Sequence, residues 1–305
     1  MARNPRSRAI AMLFCLSLWT SLSEAAEPRF TLQPGDRVAY IGNTLADRMQ
    51  HHAWLETFIH ASHPEHDLTF RNLGFPGDEV KTRSRSENFG SPDQWLRKVE
   101  ADVVFCFFGF NEAYRGEEGL PVFRSELDEM LDGMLDQKYN GQTTPRLVVF
   151  SPIAHENLHS RHLPDGSRNN RNLELYARAM RDVCESKGVT FVDLFTRSRQ
   201  LYAEASQPLT MNGIHLLEHG DRALSGAIVR ALFGDVGGID KPEAELVRLR
   251  DAVLEKNLYW FSRYRVVDGY NVYGGRSKLE WFGQSNADVM KREMEIFDVM
   301  TANRD

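Results

Sequence analysis

The sequence has few cysteines, no excess of positive charge and no long apolar segment beyond its first residues. Only 3 of its 305 residues are cysteine and its formal charge is -6. Three cysteines are too few for a disulfide framework, and the absence of a CxxCH motif excludes covalently bound haem of that type. The acidic balance argues against a general nucleic-acid binder. What remains is an ordinary globular chain, long enough for one large α/β domain, alone or with an extension.

The first 25 residues have the layout of a secretory signal peptide. Three arginines in MARNPRSR precede the apolar run AIAMLFCLSLW, and SLSEAAEP supplies small residues around a cleavage site. We predict cleavage after Ala25, because Ser23 and Ala25 form the required small pair. A membrane anchor is the alternative, but 11 apolar residues fall short of the ~20 that span a bilayer. Cys15 has no small residue before it, which argues against a lipoprotein anchor.

Cleavage lowers the formal charge from -6 to -8, because residues 1–25 carry three arginines and one glutamate. The mature protein is then expected in the periplasm or outside the cell, without a membrane attachment. Its two remaining cysteines, Cys106 in VVFCFF and Cys184 in a helical pattern, are interpreted as small core residues. A disulfide between them stays open in an exported protein.

Short apolar runs alternate with helical patterns from Arg37 to about Phe233. The apolar runs are RVAYIG, LTFRNL, DVVFCFF, RLVVFS and VTFVDL. Most are too continuous to face water on one side, which is typical of parallel strands covered on both faces. Helical patterns follow Thr44 and cover about Val122–Gln137, Asn170–Ser186 and Glu218–Leu232. The alternation predicts a three-layer α/β/α doubly wound parallel sheet, whose ligands bind beyond the carboxyl ends of the strands.

The segments after these strands carry the groups that acyl transfer from an ester requires. Thr44 offers a hydroxyl at the first strand-to-helix corner, and His215 in the last loop is a candidate base. Gly77 ends a turn where a backbone N–H can approach a substrate, and Asn111 offers an amide donor after the third strand. Together they predict a nucleophile, a base and a pair of oxyanion donors at one edge of the sheet.

Four blocks in this order resemble the SGNH (GDSL) hydrolases. The later blocks match through NLGFPGD, which contains Gly77, through GFNE, which contains Asn111, and through NGIHLLEHG, which contains His215. The resemblance covers about two thirds of the chain, from Gly42 to His215. It implies a flavodoxin-like fold, ester hydrolysis without a cofactor, His215 as base, and Gly77 with Asn111 as the oxyanion hole.

The first and last blocks depart from the family pattern. Gly-Asp-Ser is replaced by Gly42-Asn43-Thr44, and Asn212 occupies the position of the aspartate that orients the histidine. Thr44 is therefore the candidate nucleophile and Asn212 the candidate orienter. Nearby carboxylates offer a substitute for the aspartate: Glu112 and Glu218. A working esterase and a catalytically impaired carbohydrate-binding protein both remain open.

Three features outside the blocks bear on the ligand. Asn43, Arg83 and Arg85 are candidate substrate contacts, and the two arginines favour an anionic sugar such as a sulfated or uronic one. The alternative for KTRSRSENFGS is an exposed loop with solvated charges. The loop ENLHSRHLPDGSRNN is either a wall of the cleft or a surface excursion. His60, His63 and His66 have helix-like spacing, but Pro64 interrupts the helix, so no metal site is predicted.

Residues 30–235 are predicted as the hydrolase-like domain and 236–305 as an extension packed on it. The extension is rich in aromatic residues: Trp260, Phe261, Tyr264, Tyr270, Tyr273, Trp281 and Phe282. Such rings either stack on sugars or form a strap across the parent domain, and the strap is favoured. The altered first block with this tail resembles SGNH-like proteins of planctomycete-type bacteria, often coupled to sugar or haem-linked oxidative modules. By analogy the substrate is a small-molecule or polysaccharide ester, with acyl groups on carbohydrate most plausible.

Overall fold

A five-stranded parallel sheet forms the centre of the molecule. The computed structural model describes Met1 and residues 30–266 and 268–305. The predicted signal peptide therefore lies outside the described residues, apart from Met1. The strands are β1 (Arg37–Gly42), β2 (Thr69–Asn72), β3 (Val103–Phe107), β4 (Arg146–Phe150) and β5 (Thr190–Val192). Their order is β2-β1-β3-β4-β5, all parallel, which is the flavodoxin-like order with its switch point between β1 and β3.

Helices cover both faces of this sheet. The helices are α1 (Thr44–His52), α2 (Trp54–Ser62), α3 (Pro92–Lys98), α4 (Leu120–Leu135), α5 (Ser167–Lys187), α6 (Leu194–Glu204), α7 (Glu218–Phe233), α8 (Glu243–Arg265), α9 (Gly269–Val272) and α10 (Asn286–Ala302). In the described ranges, short 3₁₀ turns lie at Glu112–Arg115, Glu117–Gly119 and Gly238–Asp240. A hairpin of two-residue strands, β6 (Glu280–Trp281) and β7 (Gln284–Ser285), precedes α10.

The buried strands explain this layering. All five residues of β3 are buried, and alternate residues join apolar clusters on opposite faces of the sheet. Val104 and Cys106 belong to the cluster that includes α4 and α5, whereas Phe105 and Phe107 belong to the one that includes α2 and α7. A strand that is apolar on both faces is stable only between two helical layers, so the predicted α/β/α fold is confirmed.

Within residues 30–235, three helices are present that the sequence patterns did not predict. The first helical pattern divides at Ala53, whose φ of 63° ends α1 and lets α2 begin at once. α3 has only 7 residues and relies on a capping box at Ser91, and α6 begins at the cap Asp193. Short helices held by caps carry little periodicity, so their signal is at the termini rather than in the apolar pattern.

The extension contributes side chains to the core of the parent domain. Trp260 on α8 donates its indole N–H to the Asn72 carbonyl (2.8 Å), and the Tyr264 hydroxyl donates to the Leu73 carbonyl (3.1 Å). Both rings are buried in the cluster on the α4–α5 side of the sheet. By contrast, Trp281 and Phe282 at the hairpin are 76% and 94% exposed. The aromatic tail therefore has a packed part in α8 and an exposed part at the hairpin.

The described residues contain no helix long and apolar enough to cross a membrane. Within the same part of the chain, no group of three or more His, Cys, Asp or Glu side chains is arranged for a metal ion. Cys106 and Cys184 are both buried and both free thiols.

Candidate active site

The first corner places Thr44 at the switch point of the sheet. Gly42 ends β1 with a φ of 133°, and a Cβ there would lie 2.1 Å from the Phe107 carbonyl oxygen, so only glycine fits. The next residue, Asn43, is buried and caps α1, because its Oδ1 accepts a hydrogen bond from the Leu45 N–H (3.1 Å). Thr44 is thus the first residue of α1, half-buried and at the rim of a cleft.

The cleft has a volume of about 230 Å³ and lies beyond the carboxyl ends of β1, β3 and β4. Its walls are mainly apolar and aromatic: Leu45, Phe107, Phe108, Phe110, Tyr114, Pro152, Ile153, Ile214 and Leu216. Its polar lining comes from Asn43, Thr44, Arg48, His52, Asn111, Ser151, His215 and Asp221. An apolar cleft with few converging polar groups at the switch point is the usual form of a ligand site in this fold class.

A buried carboxylate fixes the loop that carries His215. Glu156 is 6% exposed and accepts three hydrogen bonds, from the Leu209 N–H (3.0 Å), the Thr210 N–H (2.8 Å) and the Thr210 hydroxyl (2.6 Å). The neighbouring His155 packs so closely on Gly213 that a Cβ there would lie 2.4 Å from its Nε2. These contacts hold the loop beside the cleft. Sequence reasoning missed them, because the partners are more than fifty residues apart.

The contact between Asn212 and His215 sets the position of the imidazole proton. Asn212 Oδ1 accepts from the backbone N–H groups of Ile214 (3.3 Å) and His215 (3.0 Å), so the other terminal atom, Nδ2, faces His215 Nδ1 (3.0 Å). An amide nitrogen only donates, and Nδ1 must therefore accept. In the neutral ring the proton then lies on Nε2. An aspartate here would reverse this, because a carboxylate accepts a hydrogen bond from a protonated Nδ1 and leaves Nε2 free as a base.

The surroundings of His215 also disfavour its charged form. Burial lowers the pKa of His215, and the nearby positive charge of Arg48 lowers it further. Neither predicted substitute carboxylate contacts the ring. Glu112 is fully buried and accepts from the Val80 N–H (2.9 Å) and the Gly109 N–H (3.0 Å). Glu218 lies 3.2 Å from Arg250.

The predicted oxyanion donors are only partly brought together. Asn111 lines the cleft with Thr44 and His215, and its Nδ2 also donates to the Asp78 carbonyl (3.1 Å). This bond joins Asn111 to the residue after Gly77. Gly77 has a φ of 84° but is not among the residues that line the cleft. Thr44 and His215 both line it, and within the described residues no hydrogen bond joins their side chains.

Arg83 and Arg85 lie outside this cleft, so the structure does not bring them to the other predicted site residues. Arg85 forms a bidentate pair with Asp78 (2.7 Å to each oxygen) and lies over the Phe75 ring. Arg83 lies over Phe108 and reaches backbone carbonyls of its own loop. Both line a separate pocket of about 160 Å³. They are not freely solvated, and neither lines the cleft.

Three polar residues that line the cleft were not predicted from the sequence: Arg48, His52 and Asp221. Arg48 stands four residues after Thr44 on α1, so both side chains lie on one helix face. That spacing was a usable signal. Asp221 had none, since it comes from a separate helix, whereas His52 stands four residues after Arg48 on α1 and continues the same spacing. The loop between β4 and α5 contributes no residue beyond Ile153 to the cleft lining.

The fold and cleft define an α/β hydrolase-type protein with a threonine at the nucleophile corner. A model of the GDSL-like lipase/acylhydrolase family matches residues 35–223, more than half of the chain. The chain belongs to this family and is, by that membership, a carboxylic ester hydrolase. This confirms the resemblance to the SGNH hydrolases. No curated protein sequence matches the chain significantly.

Solved structures with a similar fold include an esterase and two further enzymes. LAE5, an α/β hydrolase enzyme from the metagenome of Lake Arreo, has a TM-score of 0.50 at 19% identity, covering 69% of this chain and 99% of its own. A catalytic mutant of an acetylxylan esterase from Geobacillus stearothermophilus has a TM-score of 0.50 at 16% identity, covering 66% and 95%. The gut microbial diltiazem-metabolizing enzyme BT4096 has a TM-score of 0.52 at 16% identity, covering 68% and 48%. At these identities the likeness concerns the fold.

Proposed function

We propose that the protein is an exported GDSL-type esterase that removes acyl groups from carbohydrate. Thr44 would be its nucleophile, His215 its base and Asn212 the residue that orients the base, with Gly77 and Asn111 as oxyanion donors. The observation that carries this is one cleft, in a chain of this family, lined by the threonine hydroxyl, the imidazole and an amide donor. A fold neighbour that is an acetylxylan esterase supports the carbohydrate part.

The proposed reaction proceeds through an acyl-threonine. The Thr44 oxygen attacks the ester carbonyl carbon, and its proton passes to His215 Nε2. The oxyanion receives hydrogen bonds from Asn111 and the backbone near Gly77. The alcohol leaves with the proton from His215, and water then releases the acid by the same steps. The first transfer needs Nε2 without a proton, whereas Asn212 favours the opposite tautomer. Slow turnover of simple esters is therefore expected.

The same contact favours a second candidate function, a carbohydrate-binding protein with impaired catalysis. With its proton on Nε2, His215 is a hydrogen-bond donor to whatever lies in the cleft. The hydroxyl of Thr44 and the amide of Asn111 are further polar partners for a sugar. Such a protein would retain the cleft and bind glycans while cleaving their esters poorly.

Substitutions at Asn212 and His215 distinguish the two candidate functions. We expect Asn212→Asp to raise kcat on aryl acetates and acetylated xylooligosaccharides by about 10³, because serine proteases lose about 10⁴ in the reverse exchange. His215→Ala should abolish hydrolysis in both backgrounds. Asn303→Asp, at the exposed C-cap of α10, is the matched control for the charge change and should have no effect.

The results of these substitutions distinguish the esterase from the binding protein. Hydrolysis that His215→Ala leaves unchanged would refute the assignment of the base. If Thr44→Ser with Asn212→Asp gains strongly over a nearly inactive natural chain, the natural chain is impaired in this chemistry. Little gain together with tight glycan binding, measured by calorimetry, would favour the binding protein. Export is tested separately, by N-terminal sequencing of the protein recovered from the periplasm or the medium, with Ala26 expected as its first residue.

A further inference from the structure

In the described part of the chain, one cationic side chain lines the cleft, and no carboxylate is paired with it. Arg48 is the only Lys or Arg among the described residues that line the cleft. Its Nη2 makes a single long hydrogen bond to the Leu216 carbonyl (3.4 Å), and its Nε is buried without a partner. Within the described chain it forms no ion pair. Nearby arginines differ in this respect: Arg265 reaches Asp47 (2.6 Å) and Arg250 reaches Glu218 (3.2 Å).

Two further polar atoms of residues that line the cleft also lack hydrogen-bond partners. Asp221 is 2% exposed, and its Oδ2 has no hydrogen-bond partner. Burial raises the pKa of Asp221 to about 8, so this carboxyl is largely protonated at neutral pH and does not neutralise Arg48. His52 Nε2 is likewise buried and unpaired. Polar groups left unpaired in an apolar cleft are costly, and all three of these atoms belong to residues that line the same cleft.

A negatively charged group on the ligand would pair with Arg48 and provide a partner for the other unpaired polar atoms of residues that line the cleft. A guanidinium binds the two oxygens of a carboxylate with parallel hydrogen bonds, and a protonated Asp221 would add a third donor. A buried cation becomes favourable only when it is paired and hydrogen-bonded. We propose that Arg48 binds a carboxylate carried by the substrate, beside the ester that faces Thr44 and His215. The inference rests on the proposed function for the presence of an ester in the substrate. The anion-binding site itself depends only on Arg48.

The carboxylate has two possible positions on such a substrate. It belongs either to the acyl group, as in a hemisuccinate ester, or to the sugar, as in an acetylated uronic acid. Matched substrate pairs distinguish them. One pair is 4-nitrophenyl hemisuccinate and 4-nitrophenyl butyrate. The other is the acetylated methyl glycoside of glucuronic acid and that of glucose.

The readout is the ratio of kcat/KM for the charged substrate to that for its neutral partner. We expect this ratio to exceed one for one pair and to fall about 10- to 100-fold in Arg48→Gln, the usual effect of a hydrogen-bonded charge. Arg48→Lys, which keeps the charge but not the fork, should retain part of the ratio. Glutamine can still donate to the Leu216 carbonyl, so a purely structural role would leave the ratio intact. Arg178→Gln, on the exposed face of α5, is the matched control.

Binding separates failure of this inference from failure of the proposed esterase. Titration calorimetry with succinate and with methyl glucuronide, against butyramide and methyl glucoside, requires no turnover. Arg48-dependent binding of one carboxylate would support the anion site even in a chain that hydrolyses nothing. The inference is overturned if the natural protein shows no preference for either charged ligand in binding or hydrolysis. It is also overturned if Arg48→Gln weakens charged and neutral ligands equally.

Discussion

A single atom in Asn212 decides what His215 can do. The amide keeps the geometry that an aspartate would have, since its Oδ1 accepts the same backbone N–H groups that shape the turn. The difference lies at the atom facing the ring, which donates rather than accepts. A substitution that is conservative in shape thus inverts the proton arrangement of the base. The predicted residue Asn212 lies where the sequence indicated, and the chemical consequence required the hydrogen bonds.

Asp221 gives a prediction about pH and stability. Its pKa is raised from 3.8 to about 8 by burial, so the folded state holds this proton more tightly than the unfolded state. The stability from the neutral carboxyl is fully present below about pH 4 and is lost as the pH rises through about 8. Asp221→Asn replaces the ionisable carboxyl by a neutral amide, so this loss of stability at higher pH does not occur. We expect its Tm relative to the natural protein to rise by about 5 °C between pH 5 and pH 8.

Differential scanning calorimetry over that pH range measures the effect. Asp182→Asn, at an exposed carboxylate on α5, is the control and should show no comparable trend. A Tm difference between Asp221→Asn and the natural protein that stays constant with pH would contradict the prediction.

At the scale of elements, the site depends on a loop held by one buried carboxylate. We predict that Glu156→Ala destabilises the protein by about 3 kcal/mol, since it leaves the Leu209 and Thr210 N–H groups without their acceptor. The loop with Asn212 and His215 should then move, so kcat should fall more than KM changes. Glu156→Gln retains one acceptor oxygen and should recover part of both losses.

Urea unfolding and steady-state kinetics provide the two measurements. Glu204→Ala, at the end of α6, is the control for removing a glutamate, since that exposed side chain forms no hydrogen bond within the described residues. Equal kcat in Glu156→Ala and the natural protein would show that the loop holds its position without this carboxylate.

At the scale of the whole molecule, α8 completes the core rather than forming a separate unit. Lys256, 3% exposed, forms a buried ion pair with Glu56 on α2, and Asn257 donates to the other oxygen of Glu56 (3.2 Å). Removal of one partner from a buried pair leaves an uncompensated charge. We therefore expect Lys256→Met to cost about 3–5 kcal/mol, whereas Lys256→Met with Glu56→Gln should cost much less.

A double-mutant cycle in urea tests this coupling between the extension and the sheet domain. Additive effects of the two substitutions would mean that the charges do not interact. Strong coupling would show that residues 236–305 are needed for the domain at 30–235 to reach its full stability.

The order of the five strands and of the long helices between them was determined by the sequence alone, because continuous apolar strands between amphipathic helices bury both faces only in a three-layer arrangement. The same alternation and the four blocks located Thr44, Asn111 and His215, since the carboxyl ends of parallel strands share one edge. The helix ends at Ala53 and Ser91 depend on local caps, which leave only a weak signal in the apolar periodicity of the sequence.

Tertiary structure alone decided which charges are paired. Arg83 and Arg85 were candidate substrate contacts in the sequence, with an exposed loop as the alternative, but the chain folds them against Asp78 and aromatic rings. Arg48 had no special mark beyond its spacing from Thr44, and folding left it unpaired in the cleft. Pairing depends on distances between residues far apart in the chain, which periodicity and local propensity do not encode.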